Sequence, residues 1–173
     1  MAQFSSERIY LVGYMASGKT TIGQNISEQL GYQHIDTDEA IIKLMGSSIN
    51  DIFEQHGEST FRSYELRLTK LVTQLNKVVI STGGGLPVHH QNMDELLNSG
   101  LTIYLKASID TLVSRLIHAK ALRPLHHNQT EEQLRLAISK KLSQREKIYT
   151  QAHITIDANA TPDKIVRQII SRL

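Results

Sequence analysis

The sequence contains no cysteine among its 173 residues. A chain without cysteine cannot build a disulfide framework, a thiolate metal site or a cysteine nucleophile, and this composition fits a cytoplasmic protein. No apolar run approaches the roughly 20 residues that a membrane-spanning helix requires, and the polar segment 1–8 lacks the apolar core of a signal peptide. We therefore expect a cytoplasmic protein that does not associate with membranes.

Neither sign of charge dominates the chain, whose 19 basic and 17 acidic residues give a formal net charge of +2. No dense tract of Lys and Arg is present, so the sequence gives no indication of a nucleic-acid-binding surface. The basic groups are instead expected to face an anionic substrate inside a cleft. At this length we expect one domain, residues 1–173, with a sizeable hydrophobic core.

Residues 13–20, Gly-Tyr-Met-Ala-Ser-Gly-Lys-Thr, match the phosphate-binding P-loop pattern G-x-x-x-x-G-K-[ST]. A short apolar segment, 9–12, precedes the loop, and apolar residues at helical spacing follow it. Backbone N–H groups and the positive end of the helix dipole bind phosphate in such a loop, while Lys19 reaches the β- and γ-phosphates and Thr20 offers its hydroxyl to Mg²⁺. The pattern predicts a nucleoside triphosphate site. Its expected nucleotide-binding residues are Ala16, Ser17, Gly18, Lys19, Thr20 and Thr21.

Short strand-like segments alternate with helical segments along the chain. We predict strands over residues 9–12, 32–35, 78–81, 101–105 and 153–156. This alternation predicts an α/β fold with a mostly parallel sheet that helices cover on both faces. Because ligands of open α/β sheets bind at the C-terminal ends of the strands, we expect the functional site at that edge, beside the P-loop.

Three further groups of residues are candidates for this edge. Asp36 and Asp38 follow the second strand, Arg62 and Glu65 lie one turn apart on a helix, and three consecutive glycines, 83–85, follow the third strand. From the residues alone, each group has an ordinary structural alternative. Asp38 could be the N-cap of the next helix, Arg62 could form a surface ion pair, and the glycines could form a plain flexible turn.

A polar, cationic stretch spans residues 120–128 and includes Arg123 and Pro124. Proline cannot continue a helix and biases the residue before it toward extended geometry, so we expect a mobile connection here. Its basic residues are expected either to fold over phosphates or to belong to a solvated loop.

In this order, the segments resemble those of the shikimate kinase family, which belongs to the nucleoside-monophosphate-kinase-like P-loop group. The resemblance covers nearly the whole chain. It rests on Gly13–Thr20, Asp36–Asp38, Gly57–Glu58, Phe61–Arg62 with Glu65, Gly83–Gly85, Arg123–Leu125, and Arg145 with Tyr149. It implies a P-loop three-layer α/β sandwich with a five-stranded parallel sheet in the order 2-3-1-4-5 and helices on both faces. It also implies a substrate-binding helical region at about 36–64 and a mobile lid at about 118–129.

The resemblance further implies an enzyme, a transferase that uses ATP to phosphorylate the 3-hydroxyl of shikimate in chorismate and aromatic amino acid biosynthesis. ATP and shikimate are the implied partners, Mg²⁺ is the implied cofactor, and we expect a monomer. Two rival hypotheses are another small-metabolite P-loop kinase, such as a gluconate kinase, and a non-catalytic nucleotide-binding regulator.

The family's substrate-binding residues carry over one by one to this sequence. Asp38 matches the carboxylate that orients or deprotonates the attacking hydroxyl. Arg62 and Arg145 match the two guanidinium groups that hold the shikimate carboxylate, and Glu65 matches the acid that keeps Arg62 in place. The range Gly83–Gly84 matches the backbone that contacts the ring of the substrate.

The resemblance implies three catalytic residues, Lys19, Asp38 and Arg123. Lys19 and the lid residue Arg123 would neutralise charge on the phosphates, while Asp38 would align the nucleophile. Asp36 matches the acid near Mg²⁺, which acts through water in this family, and together with Thr20 it is the expected metal site.

The adenine end of the nucleotide site is the less specific part of the resemblance. Arg115 is our candidate for the residue that stacks on adenine, with Pro162 and the turn before it on the other side of the base. His126 stands where the family often has leucine, so packing of the lid is expected to differ. Ser81 ends the third strand in place of an acidic residue, so Mg²⁺ is expected to rely on Thr20, phosphate and water.

Overall fold

The computed structural model of this protein describes residues 7–122 and 130–173. Strands and helices alternate along the chain in the order β1 (Arg8–Val12), α1 (Lys19–Leu30), β2 (Gln33–Asp36), α2 (Thr37–Met45), α3 (Ile49–Val72), β3 (Val78–Ser81), a 3₁₀ turn (Leu86–Val88), α4 (Asn92–Ser99), β4 (Leu101–Lys106), α5 (Ile109–Leu122), α6 (Glu131–Tyr149), β5 (Ile154–Asp157) and α7 (Pro162–Ile170).

The strands form one parallel sheet in the order β2-β3-β1-β4-β5, which confirms the predicted fold. The central strand β1 pairs with β3 on one side and β4 on the other, with Tyr10 opposite Ile80 and Thr102. Strands buried on both faces read as continuous apolar runs, and Val78–Ser81 is buried throughout. Helices cover both faces of the sheet. None of the helices in the described ranges has the length and apolarity needed to span a membrane.

A second, smaller core lies beside the main one and holds α2 against α3. It consists of the buried side chains Ile41, Ile52 and Phe61. Phe53 and Phe61 contribute an edge-to-face contact, with ring centroids 5.0 Å apart, an arrangement that aromatic pairs favour. This small core fixes the position of the segment from which several charged side chains reach the sheet edge.

The N-cap of α2 is Asp36, so the alternative in which Asp38 caps this helix is wrong. The Asp36 carboxylate accepts hydrogen bonds from the backbone N–H groups of Asp38, at 3.0 Å, and Glu39, at 3.3 Å. These are two of the N–H groups that a helix leaves without an internal partner. Because Asp36 satisfies them, the Asp38 side chain is free to point elsewhere.

Helix α3 begins at a capping box and is interrupted once. Ser48 and Asp51 exchange the hydrogen bonds predicted for that motif. Gly57 then adopts φ 79° and ψ 159°, a conformation open to glycine but costly for other residues. The second part of α3, which carries Glu58, Arg62 and Glu65, therefore starts in a new direction after Gly57.

Candidate active site

A cleft of about 470 Å³ opens at the C-terminal edge of the sheet. Its walls come from the P-loop, the ends of β2 and β3, helices α2, α3 and α6, and the glycine run. The predicted site residues that line it are Ala16, Lys19, Thr20, Asp36, Asp38, Arg62, Gly84 and Arg145. The structure thus brings the P-loop and the predicted substrate-binding residues together around one cleft.

In the P-loop, Lys19 lies under the backbone of its own loop. Its Nζ donates hydrogen bonds to the carbonyl oxygens of Gly13, at 2.9 Å, and Tyr14, at 2.8 Å. Burial lowers the pKa of Lys19 to about 8, although the nearby Asp38 and Asp36 oppose the shift. A phosphate group in the loop would supply the negative charge that favours the protonated form of this lysine.

The buried Ser17 hydroxyl has no hydrogen-bond partner within the described part of the chain. Buried polar groups without partners are rare in folded proteins and call for an explanation. Ser17 belongs to the loop that the motif assigns to phosphate, so a bound phosphate oxygen would explain its position. Ala16, the residue before it, has φ 61°, an uncommon conformation for a residue with a side chain.

Thr20 and Asp36 meet at the base of the cleft. The Thr20 hydroxyl donates to Asp36 Oδ2 at 2.7 Å. Hydroxyl and carboxylate oxygens are ligands that Mg²⁺ prefers. Across residues 7–122 and 130–173 there is no group of three or more His, Cys, Asp or Glu side chains that could hold a metal. These two oxygen groups therefore fit a magnesium ion that takes its other ligands from phosphate and water.

The three glycines provide space for charged side chains rather than flexibility. A Cβ atom on Gly83 would overlap the Asp38 carboxylate, and one on Gly85 would lie 2.6 Å from Arg62 Nη1. On Gly84 it would lie 3.7 Å from Arg145 Nη1. None of the three has a positive φ, so a plain flexible turn does not account for them. Each glycine instead lies beside one of three predicted substrate-binding side chains.

The backbone of the glycine run is held from both sides. The Gly83 N–H donates to the Thr37 hydroxyl at 2.7 Å, and the Tyr149 hydroxyl donates to the Gly84 carbonyl at 2.5 Å. Sequence reasoning missed the role of Thr37, although its place between Asp36 and Asp38 was a usable signal. These two hydrogen bonds hold the backbone of the run in its place in the cleft wall.

Asp38 is half-buried in the cleft between charges of both signs. Burial raises the pKa of its carboxyl group, and the neighbouring Asp36 raises it further. Lys19 and Arg62 act in the opposite direction. A carboxylate with a raised pKa is a better proton acceptor than an ordinary surface aspartate, which suits a group that faces a reacting hydroxyl.

Arg62 does not belong to an ordinary surface ion pair between two exposed side chains, because its own side chain is only 12% exposed. Its Nη1 donates to Glu65 Oε2 at 2.7 Å, and its Nε and Nη2 both donate to Glu58 Oε1, at 3.1 and 2.7 Å. Glu65 is buried, and burial raises its pKa to about 7 although Arg62 opposes the shift. Glu58 is exposed, and the hydrogen bonds from Arg62 lower its pKa.

Arg145 approaches the cleft from α6. Its guanidinium carbon lies 5.9 Å from the centre of the Tyr14 ring, a distance at which a cation–π attraction operates. Lys141 lies one helical turn earlier on α6 and also lines the cleft. Sequence reasoning missed Tyr14 and Lys141 as site residues. Lys141 shares the i, i+4 spacing with Arg145, and that spacing could have indicated it.

On the nucleotide side, Arg115 joins two loops. It donates hydrogen bonds to the carbonyl oxygens of Ala16, Ser17 and Ala158, at 3.2, 3.0 and 2.8 Å. Pro162 begins α7 a few residues after Ala158. Arg115 therefore ties the P-loop to the segment expected beside adenine. Its stacking role stays a prediction.

Several predicted residues lie outside the cleft lining or outside the described residues. Ser17, Gly18 and Gly83 lie in segments that form the walls without lining the cleft themselves, and Thr21 is exposed at the start of α1. Arg123 and residues 123–129 of the predicted lid are outside the described residues.

Comparison with known proteins identifies the family. The family model described as Shikimate kinase matches residues 15–173. A shikimate kinase of Azobacteroides pseudotrichonymphae is 43% identical over 148 residues, which cover 85% of this chain and 87% of that protein.

Solved structures agree. A shikimate kinase from Bacteroides thetaiotaomicron has a TM-score of 0.89 and 32% identity, covering 96% of this chain and 98% of the other. The shikimate kinase from Acinetobacter baumannii in complex with shikimate has a TM-score of 0.82 and 33% identity, covering 99% and 97%. The resemblance seen in the sequence is confirmed, and this chain belongs to the shikimate kinase family.

Proposed function

We propose that the cleft binds ATP and shikimate side by side and transfers the γ-phosphoryl group to the shikimate 3-hydroxyl, giving shikimate 3-phosphate and ADP. Membership of the family makes the chain an ATP-dependent shikimate kinase. It decides against a gluconate kinase and against a non-catalytic regulator. The assignment of roles to individual residues is our proposal.

One observation carries the proposal for the substrate. Three consecutive glycines lie beside Asp38, Arg145 and Arg62 in turn, in the cleft that Lys19 also lines. Two guanidinium groups beside a small cavity suit a carboxylate, because each presents a planar set of N–H donors. A carboxylate held there would leave the hydroxyls of a small ring facing Asp38.

Arg62 and Arg145 hold the carboxylate in this proposal, and Glu65 keeps Arg62 in position. Asp38 orients the attacking hydroxyl and accepts its proton. Lys19 contacts the β- and γ-phosphates and neutralises charge on the transferring group. Phosphoryl transfer depends mainly on such positioning and charge stabilisation, and the geometry of these side chains supplies both.

Thr20 and Asp36 are the residues that would hold Mg²⁺, Asp36 through water. When bound, the metal offsets the negative charge of the phosphates during transfer. Arg123 is proposed to close on the phosphates from the lid. The expectations of a cytoplasmic monomer that binds neither nucleic acid nor membranes also stay predictions.

The direct test is a coupled assay of ADP release with Mg²⁺, comparing shikimate with gluconate at equal concentrations. We expect ADP release that depends on shikimate and on Mg²⁺, with gluconate near the background rate. Equal rates with the two substrates would overturn the proposed role of the two arginines in selecting a cyclic carboxylate.

A further inference from the structure

Arg62 carries an internal carboxylate on one edge of its guanidinium group. Glu58 Oε1 accepts from both Nε, at 3.1 Å, and Nη2, at 2.7 Å. This edge offers two parallel N–H donors, which is the arrangement that binds a carboxylate in forked fashion. Glu58 therefore holds donors of Arg62 that a substrate carboxylate could use.

The two glutamates bound to Arg62 are not equivalent. Glu65 is 1% exposed, so losing Arg62 would leave a carboxylate buried without its cationic partner, which is costly. The Glu58 side chain is 62% exposed, so water can replace Arg62 at little cost. Of the two carboxylates, Glu58 is the one that can leave.

A count of charges leads to the same residue. Three positive charges at this end of the cleft come from Arg62, Lys141 and Arg145, and three negative ones come from Asp38, Glu58 and Glu65. With all three carboxylates ionised, the six groups sum to zero before any substrate binds. Removing Glu58 from Arg62 would restore one net positive charge for an incoming anion.

The position of Glu58 in the chain permits such a movement. It directly follows Gly57, whose φ of 79° and ψ of 159° interrupt α3. Glu58 therefore lies at the start of the second part of the helix, next to a residue with unusual backbone freedom. Because this side chain is mostly exposed, it can rotate away from Arg62 into solvent without a change in the backbone.

We propose that Glu58 is an internal competitor for the substrate carboxylate: it pairs with Arg62 in the free enzyme and is displaced when the substrate binds. Glu58 thereby weakens substrate binding, while Glu65 remains with Arg62 throughout. This inference rests on the proposed function, since it requires Arg62 to bind the carboxylate of the substrate.

The test uses Glu58→Gln, which keeps the size of the side chain and removes its charge. We expect the KM and the Kd for shikimate to fall about two- to five-fold, as expected for removing an ion pair with one exposed partner. The kcat and the KM for ATP should stay unchanged. The dissociation constant is measured by calorimetric titration, so the result does not depend on activity alone.

Two further variants complete the experiment. Glu54→Gln removes an exposed charge from the same helix outside the cleft lining and should change nothing. Glu58→Ala removes both the charge and the hydrogen-bond acceptor, so it should lower the KM at least as far as Glu58→Gln. Thermal unfolding of each variant is the control that checks whether its fold is intact.

The outcomes separate the inference from the proposed function. A wild-type enzyme that fails to phosphorylate shikimate would contradict the proposed function itself. Where the wild type is active, a higher KM in Glu58→Gln would mean that Glu58 supports Arg62 and would overturn the inference. An unchanged KM and Kd would mean that the pair survives substrate binding, and that result would also overturn it.

Discussion

In the nucleotide half of the cleft, the phosphate-binding loop is built from eight consecutive residues, Gly13–Thr20. The substrate half takes its side chains from α2, α3 and α6 and its backbone from the glycine run. In the first half, local backbone geometry and the start of α1 position the loop. In the second half, side chains far apart in sequence meet only because the sheet and the small core of α2 and α3 bring them together.

Each half contains a buried ionisable side chain, but the hydrogen-bond partners of the two side chains differ. Lys19 donates to two carbonyl oxygens of its own loop, and burial lowers its pKa to about 8. Glu65 accepts from Arg62, and burial raises its pKa to about 7. In each case burial favours the neutral form. The buried lysine is thus held by backbone carbonyl groups of its own loop, whereas the buried glutamate is held by a charged side chain on the same helix.

The largest effect is expected in the nucleotide half. Lys19→Ala should lower kcat by at least about 100-fold, because a donor to the transferring phosphoryl group is lost. Thermal unfolding should show that the fold persists. Steady-state kinetics in the ADP assay provide the measurement. Substantial remaining activity would remove Lys19 from the mechanism and break the contrast between the two halves.

In the substrate half, Arg62→Ala should raise the KM for shikimate by about 30-fold or more and change the KM for ATP much less. The variant also leaves Glu65 buried without its partner, so Arg62→Lys is the companion that keeps the charge and loses the forked geometry. Arg67→Ala, an exposed arginine on the same helix, is the control. Equal changes in both KM values would contradict the assigned role of Arg62.

The difference between the halves also explains how much the sequence could predict. The P-loop and its strand–loop–helix setting are a contiguous motif, and the alternation of strands and helices indicated a parallel sheet. The strand order came from the family resemblance rather than from periodicity. The P-loop and the alternation of strands and helices depend on local pattern, so the structure agrees with them closely.

Contacts between distant residues were not available from pattern alone. The pairing of Arg62 with both Glu58 and Glu65 depends on how α3 turns at Gly57. The fit of the glycine run around Asp38 depends on the register of β2 and β3. Even the local cap of α2 was open from the sequence, which offered Asp38 as a possible N-cap, because either aspartate satisfies the sequence preference for that position; the structure places Asp36 there.

A third prediction concerns the buried Glu65 in the substrate half and the dependence of the free energy of unfolding on pH. The folded-state pKa of Glu65 is about 7, above its ordinary value of 4.5, so the folded protein binds more protons than the unfolded chain between these values. The stability that Glu65 contributes is therefore complete below pH 4.5 and is lost as the pH rises through 7. Across this window the loss is about 3 kcal/mol.

The measurement is the free energy of unfolding in urea, for the wild type and for Glu65→Gln, at several pH values from 4.5 to 8. The wild type should lose stability relative to Glu65→Gln as the pH rises, because the amide does not titrate. Glu54→Gln, an exposed change on the same helix, should follow the wild type. If the stability of the wild type relative to Glu65→Gln stays constant or rises with pH, the ion pair with Arg62 matches or outweighs the effect of burial, and the prediction is wrong.

The smallest effect is expected from Lys141, the cation that only the structure placed in the cleft. Lys141→Ala should raise the KM for shikimate about two- to five-fold, because an exposed lysine contributes a screened attraction to an anion. Lys140→Ala is the matched control, since Lys140 is an exposed neighbour outside the cleft lining. The two KM values are compared at low and high salt. The effect of Lys141→Ala on the KM should shrink as salt rises. Equal effects of the two substitutions would show that Lys141 does not attract the substrate, and would leave in the substrate half only the side chains that the family resemblance already implied.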